Sequence, residues 1–502
     1  MPDLFSIMVT ASRRGCVHAD FIPDGRKHTT RSPLDLFAEV FLDLLGRNDE
    51  AMQQSEDDCM KSVLTVLLFC TCVWTAMSKE GDWPYWRGPA ADGMAIGDAP
   101  LHWSDSQNVK WKTDIPGRGS SSPVIWGDRI FLTTAVKTGP AASTPEPAPA
   151  PVTTPGAKPN LMMSSGPQVE HKFDVLCLDR KTGKILWQRT AITAVPHEGH
   201  HPTYGSFASN SPVTDGKHVY AFFGSRGMYC YDMKGNLIWQ KDFNVQMRMR
   251  MAFGEGMAPV ISGDRLILVF DQEKGSFMVS LDKNSGKEIW RVDRDEVTNW
   301  AAPLVVEYKG KKQIVVSASK KVRSYDFGSG KLIWECAGLG ANTIPQPVRQ
   351  DDLVFVMSGH INPNLMAIRL GREGDLTGTD AIVWSQTKGN SYTPSPVIYD
   401  NKLYVLTDSG MISCYNARTG EPYYHQMRLP KTYSFKASPV GANGKLYLAS
   451  ENDDVIVLRM GEKYEVLATN TLADQMFIAT PAIVGGEIFL RSQNRLYCIQ
   501  EK

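Results

Sequence analysis

The chain has 502 residues, enough for several domains or one large repeat architecture. Its 54 lysines and arginines balance 54 aspartates and glutamates, so it lacks the overall charge of a nucleic-acid binder or of a protein held to an anionic membrane.

Residues 1–59 scatter Arg, His and Asp around one weakly amphipathic stretch, PLDLFAEVFLDLLG. They read as a mis-called or disordered N-terminal extension. At Met60 a different segment begins, MKSVLTVLLFCTCVWTAMSKE, with one lysine, an apolar run from Val63 to Val73 and small residues near Thr75 and Ala76. Residues 60–77 have the form of a secretory signal peptide and are too short for a comfortable membrane span. The expected mature protein is therefore periplasmic or otherwise exported to the cell envelope, with no transmembrane domain. A lipid anchor on Cys70 or Cys72 would need a lipobox that Phe69 and Thr71 do not supply.

Next come DWPYWRGPAADG (82–93) and NVKWKTDIPG (108–117), the latter with Trp111 and no repeat strands before it. From there a two-part phrase recurs. SPV stands at 122, 211, 395 and 438, with APV at 258, APL at 302, QPV at 346 and TPA at 480. Each first-phrase proline can open a strand, where no ladder donor is needed. The second phrase runs LDRKTGKILW (178–187), YDMKGNLIW (231–239), LDKNSGKEIW (281–290), YDFGSGKLIW (325–334) and YNARTGEPYY (415–424). Its glycine supplies the positive φ of a tight turn, and its terminal aromatic can wedge between sheets.

The spacing is about 44 residues, with four short alternating strands per unit, which is the pattern of β-propeller blades. Eight proline phrases predict an all-β, eight-bladed β-propeller of four-stranded antiparallel blades over residues 82–502. The last unit ends after three strands, so the N-terminal strand around Trp111 is expected to complete it. Trp111, Trp187, Trp239, Trp290, Trp334 and Trp384 are the expected docking tryptophans, with Tyr424 in that position in the sixth unit. Residues 138–167, rich in Pro and Ala, read as a disordered insertion in the first blade. Four of the five later cysteines fall in matching phrases, VLCLD, MYCYD, ISCYN and LYCIQ, and read as small core residues rather than disulfide partners.

The connector after the first blade contains HEGHH (197–201), which fits the zinc motif H-E-x-x-H. That chemistry needs both histidines on one helical face, and Pro196, Gly199 and Pro202 oppose a helix. His197, His200 and His201 remain weak metal candidates in a loop, beside the blander reading of a hydrogen-bonded connector. No G-x-S-x-G, P-loop or kinase motif occurs. GRGSSS (117–122) leads into a strand, so it does not make a phosphate cradle.

The x-x-D-x-x-T-G-K-x-x-W phrase resembles the tryptophan-docking repeat of PQQ-like propellers, the superfamily of quinoprotein alcohol dehydrogenases and of BamB-like proteins. DWPYWRGPAADG is similar to the lead-in of exported planctomycete-type members. The resemblance covers about residues 82–502 and implies the fold. It also implies a possible PQQ cofactor with calcium, but the vicinal cysteine pair of the quinoprotein enzymes and a C-x-x-C-H haem site are both absent.

If a ligand binds, the residues just before each proline phrase line one mouth of the central channel: Arg118, Asn210, Glu255, Asn299, Trp300, Asn342, Tyr392, Lys436 and Asp474. Such a set suits a polar small molecule or a peptide segment of an envelope protein. No catalytic residue is assigned. The expected function is a monomeric, non-catalytic binding or assembly scaffold, with a quinoprotein or metal-dependent enzyme as the alternative.

Overall fold

The computed structural model describes residues 82–139 and 169–501, all within the unit Ser78–Lys502. The N-terminal extension, the signal-like segment and nearly all of the Pro/Ala-rich insertion lie outside the described residues. The described chain folds into eight sheets, each built on four antiparallel strands; in seven of them these four follow chain order from the channel outward, and two sheets gain a short fifth strand in parallel. The first blade, for example, runs Val124–Trp126, Arg129–Lys137, His171–Asp179 and Ile185–Ala194. Among the described residues the only helical segments are two 3-10 turns, Gly224–Arg226 and Arg250–Ala252.

Middle strands such as RLILVF (Arg265–Phe270) are buried on both faces because each blade is sandwiched between two others. The five described cysteines are free and buried in this core. Burial pushes the Cys177 thiol up to about 11.

The repeat phrase owes its pattern to one turn. In the first blade, Asp179 Oδ1 accepts the N–H of Thr182 at 2.8 Å and its hydroxyl at 2.7 Å. Those bonds hold the Asp179 carboxyl below its usual range. Gly183 closes the turn at φ +72°, and a Cβ there would lie 2.5 Å from the Trp111 ring. The same arrangement recurs with serine in place of threonine at Asp282, Ser285 and Gly286.

Five of the six docking tryptophans therefore lie on the glycine turn of the following blade and donate the indole N–H to a carbonyl there. Trp111 reaches Arg180 O at 2.9 Å, Trp187 reaches Met233 O at 3.2 Å and Trp239 reaches Lys283 O at 3.0 Å. Trp290 reaches Phe327 O at 3.2 Å, and Trp384 reaches Ala417 O at 2.9 Å. Trp334 departs from this pattern. The fifth blade has GREGDLTGTDA where the Thr-Gly turn would stand, so Trp334 donates within its own blade to Gln313 Oε1 at 3.0 Å. Gly374–Asp375 from the inserted segment pairs in parallel with its strand, and Trp334 is completely buried.

Two N-terminal segments join the ring. Val109–Asp114 pairs antiparallel with Arg495–Gln500, so the eighth sheet contains strands from both ends of the described chain. Earlier, residues 82–95 cross one end of the channel from blade to blade. Trp83 bridges Ile125 of the first blade, and the Tyr85 hydroxyl donates to Ile261 O of the third at 2.6 Å. Arg87 reaches Pro396 O of the sixth at 2.5 Å, and Met94–Ala95 pairs with the innermost strand of the seventh.

Candidate functional site

The crossing segment turns the channel into a cup. A cavity of about 460 Å³ opens at the end where the chain enters the innermost strands, and Trp86, carried by that segment, lines it. Around the wall stand Tyr204, Phe253, Trp300 and Tyr392, with Ala258, Ala302 and Ile344 on the side of the third to fifth blades. The wall is fixed by local bonds. Trp300 Nε1 donates to Gly254 O at 2.8 Å, and His201 stacks on Tyr204 with ring centroids 3.6 Å apart.

Five of the nine channel-mouth candidates line this cup: Glu255, Trp300, Asn342, Tyr392 and Lys436. Four do not. Arg118 turns outward to the carbonyls of Pro202 and Thr203, pinning the connector that carries Tyr204. Asn210 donates to Met257 O at 2.7 Å, beneath the Glu255 segment. Asn299 Oδ1 accepts from Ser319 and Thr343, behind Trp300. Asp474 sits exposed in a turn at φ +59°. Chain position put all nine at the mouth, but backbone groups in the loops claimed the side chains of Arg118, Asn210 and Asn299.

Two of the three charged side chains in the cup, Glu255 and Lys436, are tied to structural partners. Glu255 accepts the Ser225 N–H at 2.5 Å and its hydroxyl at 2.7 Å, while burial pushes its carboxyl up to about 7. Lys436 lies between Asp408 at 3.2 Å and Glu451 at 3.4 Å, with its ammonium over the Tyr204 ring. Arg250 lines the cup from a tight turn in which Met251 and Ala252 have φ of +54° and +51°.

The three HEGHH histidines diverge. His197 Nε2 meets Met247 O at 2.7 Å and its Nδ1 faces Arg226, His200 packs edge-on against Phe207, and only His201 lines the cup. The segment is a loop, with Glu198 accepting the Met249 N–H at 2.9 Å. Among the described residues no three His, Cys, Asp or Glu side chains are grouped to hold a metal ion.

The position-based reading missed the hydroxyls of the proline phrases. The Gln346 N–H donates to Ser395 Oγ at 2.9 Å, Ser395 N–H to Ser438 Oγ at 2.9 Å, and Ser438 N–H to Thr480 Oγ1 at 3.1 Å. Thr480 N–H donates to Ser122 Oγ at 3.0 Å, and Ser122 N–H to Ser211 Oγ at 2.8 Å. This belt ties six blades together and stops where the phrase begins with Ala258 and Ala302. The recurring Ser before Pro is visible in the sequence. Trp86, Arg250, Phe253 and His360 were also missed, because their segments belong to no repeat.

Comparison with known proteins yields a family match. The family model described as outer membrane protein assembly factor BamB matches residues 171–421 and 372–496, together more than half of the chain. No curated protein sequence matches significantly. Among solved structures, the quinohemoprotein alcohol dehydrogenase of Comamonas testosteroni superposes with a TM-score of 0.55 at 8% identity, covering 84% of this chain and 80% of that one. Quinohemoprotein alcohol dehydrogenase ADHIIG of Pseudomonas putida HK5 gives 0.52 at 10% identity, covering 84% and 82%. BamB of Moraxella catarrhalis gives 0.48 at 12% identity, covering 66% and 93%. At these identities the dehydrogenases show a shared fold and nothing of the activity.

The cup does not fit PQQ with calcium. No cysteine lines it, its one lining carboxylate is held by Ser225, and the described residues contain no cation-binding group of three such side chains.

Proposed function

The chain belongs to the outer membrane protein assembly factor BamB family, and from that premise we propose that it is an exported, non-catalytic binding scaffold of the cell envelope. Its cup receives a segment of an envelope protein. One observation carries this reading: the cup is closed at one end by the chain's own Trp86 and walled by aromatic side chains already fixed in place. Rigid aromatic anchors in a concave site are the groups that dominate protein recognition, because little side-chain entropy is lost when a partner docks. The titratable groups Glu255 and Lys436 support the walls, held by Ser225 and by Asp408 with Glu451. Export rests on the signal-like segment 60–77, and no helix among the described residues is long and apolar enough to cross a membrane.

The test is calorimetry of the untagged protein with PQQ and calcium, together with metal analysis. The scaffold reading expects no saturable heat and no stoichiometric metal. Tight PQQ uptake with calcium contradicts it.

A further inference from the structure

The five belt hydroxyls line the cup with their oxygens already accepting a backbone N–H. Ser122, Ser211, Ser395, Ser438 and Thr480 are 1–6% exposed, and among the described residues none of their O–H groups has a protein acceptor. A hydroxyl whose oxygen accepts can still donate its own proton. The sixth, seventh, eighth, first and second blades thus present an arc of five unspent donors to one cavity.

Two buried cations stand behind this arc. Arg491 is 1% exposed and donates to Ser121 O at 2.8 Å and Thr133 O at 2.9 Å, beside Ser122. Arg87 is completely buried and donates to Asp92 O at 2.7 Å and to the carbonyls of Ser395 and Pro396. Among the described residues neither has a carboxylate oxygen at ion-pair distance; burial lowers Arg491 to about 9 and Arg87 to about 10, and at Arg87 the nearby Asp92 charge offsets part of that burial. A buried charge without a full counter-charge is costly, and an anion placed nearby offsets that cost. Both guanidinium groups hold carbonyls at the belt, so their field adds to the donor arc. The carboxylate that lines the cup, Glu255, is on the opposite side with Ala258.

We propose that the hydroxyl arc binds the carboxylate of an aspartate or glutamate side chain on the partner segment, whose apolar neighbours lie against Trp300, Phe253 and Ile344. This rests on the scaffold reading and specifies its ligand. A carboxylate accepts several O–H donors at once, and charge-assisted bonds of this kind are about twice as strong as neutral ones.

Calorimetry of the full chain tests this with four probes: the peptide Ac-Gly-Phe-Glu-Gly-amide, its glutamine counterpart, glutarate and inorganic phosphate. The acidic peptide is expected to bind about tenfold or more tightly than the glutamine peptide. Thr480→Val and Ser438→Ala should each weaken it several-fold, while Thr480→Ser retains binding, with circular dichroism confirming that each variant is folded. Equal binding of the two peptides overturns the carboxylate assignment and leaves the scaffold standing. Glutarate binding as tightly as the peptide, or phosphate binding more tightly than glutarate, overturns the side-chain source. No heat from any probe overturns the site itself.

Discussion

Trp111 covers the turn at Gly183 so closely that a Cβ on the glycine would sit 2.5 Å from the indole ring, and the indole N–H reaches Arg180 O at 2.9 Å. This contact joins the eighth blade to the first. Trp111→Ala is expected to lower stability by about 3–5 kcal/mol, the cost of deleting a large packed aromatic. Gly183→Ala should cost more than about 1 kcal/mol, because it combines a steric clash with a φ of +72°. Urea denaturation checks both, and midpoints unchanged from wild type would remove the docking account.

The belt makes a paired prediction. Ser438→Ala leaves the buried Ser395 N–H without its acceptor and should cost about 1–3 kcal/mol. At the interruption the change runs the other way. Ala302→Ser places a hydroxyl where the belt lacks one and should add about 0.5–1.5 kcal/mol. The same denaturation measurement decides, and a destabilised Ala302→Ser contradicts the belt's role in tying the blades together.

Glu255 makes stability depend on pH. Burial raises its folded pKa from 4.5 to about 7, so the folded state binds the proton more tightly than the unfolded chain. The resulting stability is fully present below about pH 4.5 and is lost as pH rises towards 7. Glu255→Gln keeps an acceptor for Ser225 and removes the charge. Relative to wild type it should gain stability between pH 5 and 8 by a few kcal/mol at most. Parallel pH profiles for the two proteins contradict the assignment.

The repeat was legible because it obeys local rules: Asp and Thr make the turn, glycine closes it, and the tryptophan needs the space above the glycine. The cup was only half legible. Position in the repeat placed Glu255, Trp300 and Lys436 at the mouth, but Arg118, Asn210 and Asn299 satisfy loop backbones, which depends on contacts between distant segments. Trp86 closes the cup from outside the repeat, where no periodicity points to it. Trp334 shows the converse, since its motif is intact while its docking partner is missing from the next blade.

Export gives a direct expectation at the N-terminus. The native polypeptide should begin near residue 77, after the small residues Thr75 and Ala76. N-terminal sequencing of protein from the envelope fraction checks this, and a mature chain retaining residues 1–59 contradicts it.

The central claim, that the cup receives a segment of another protein, is tested most directly by photocrosslinking in intact cells with Trp300 replaced by p-benzoylphenylalanine. The same photoreactive residue at Ile289, exposed on an outer strand, serves as the control. A discrete polypeptide adduct from position 300 that is absent at 289 and lost on Trp86→Ala is the predicted result. No protein adduct at 300, or the same adducts at both positions, contradicts it.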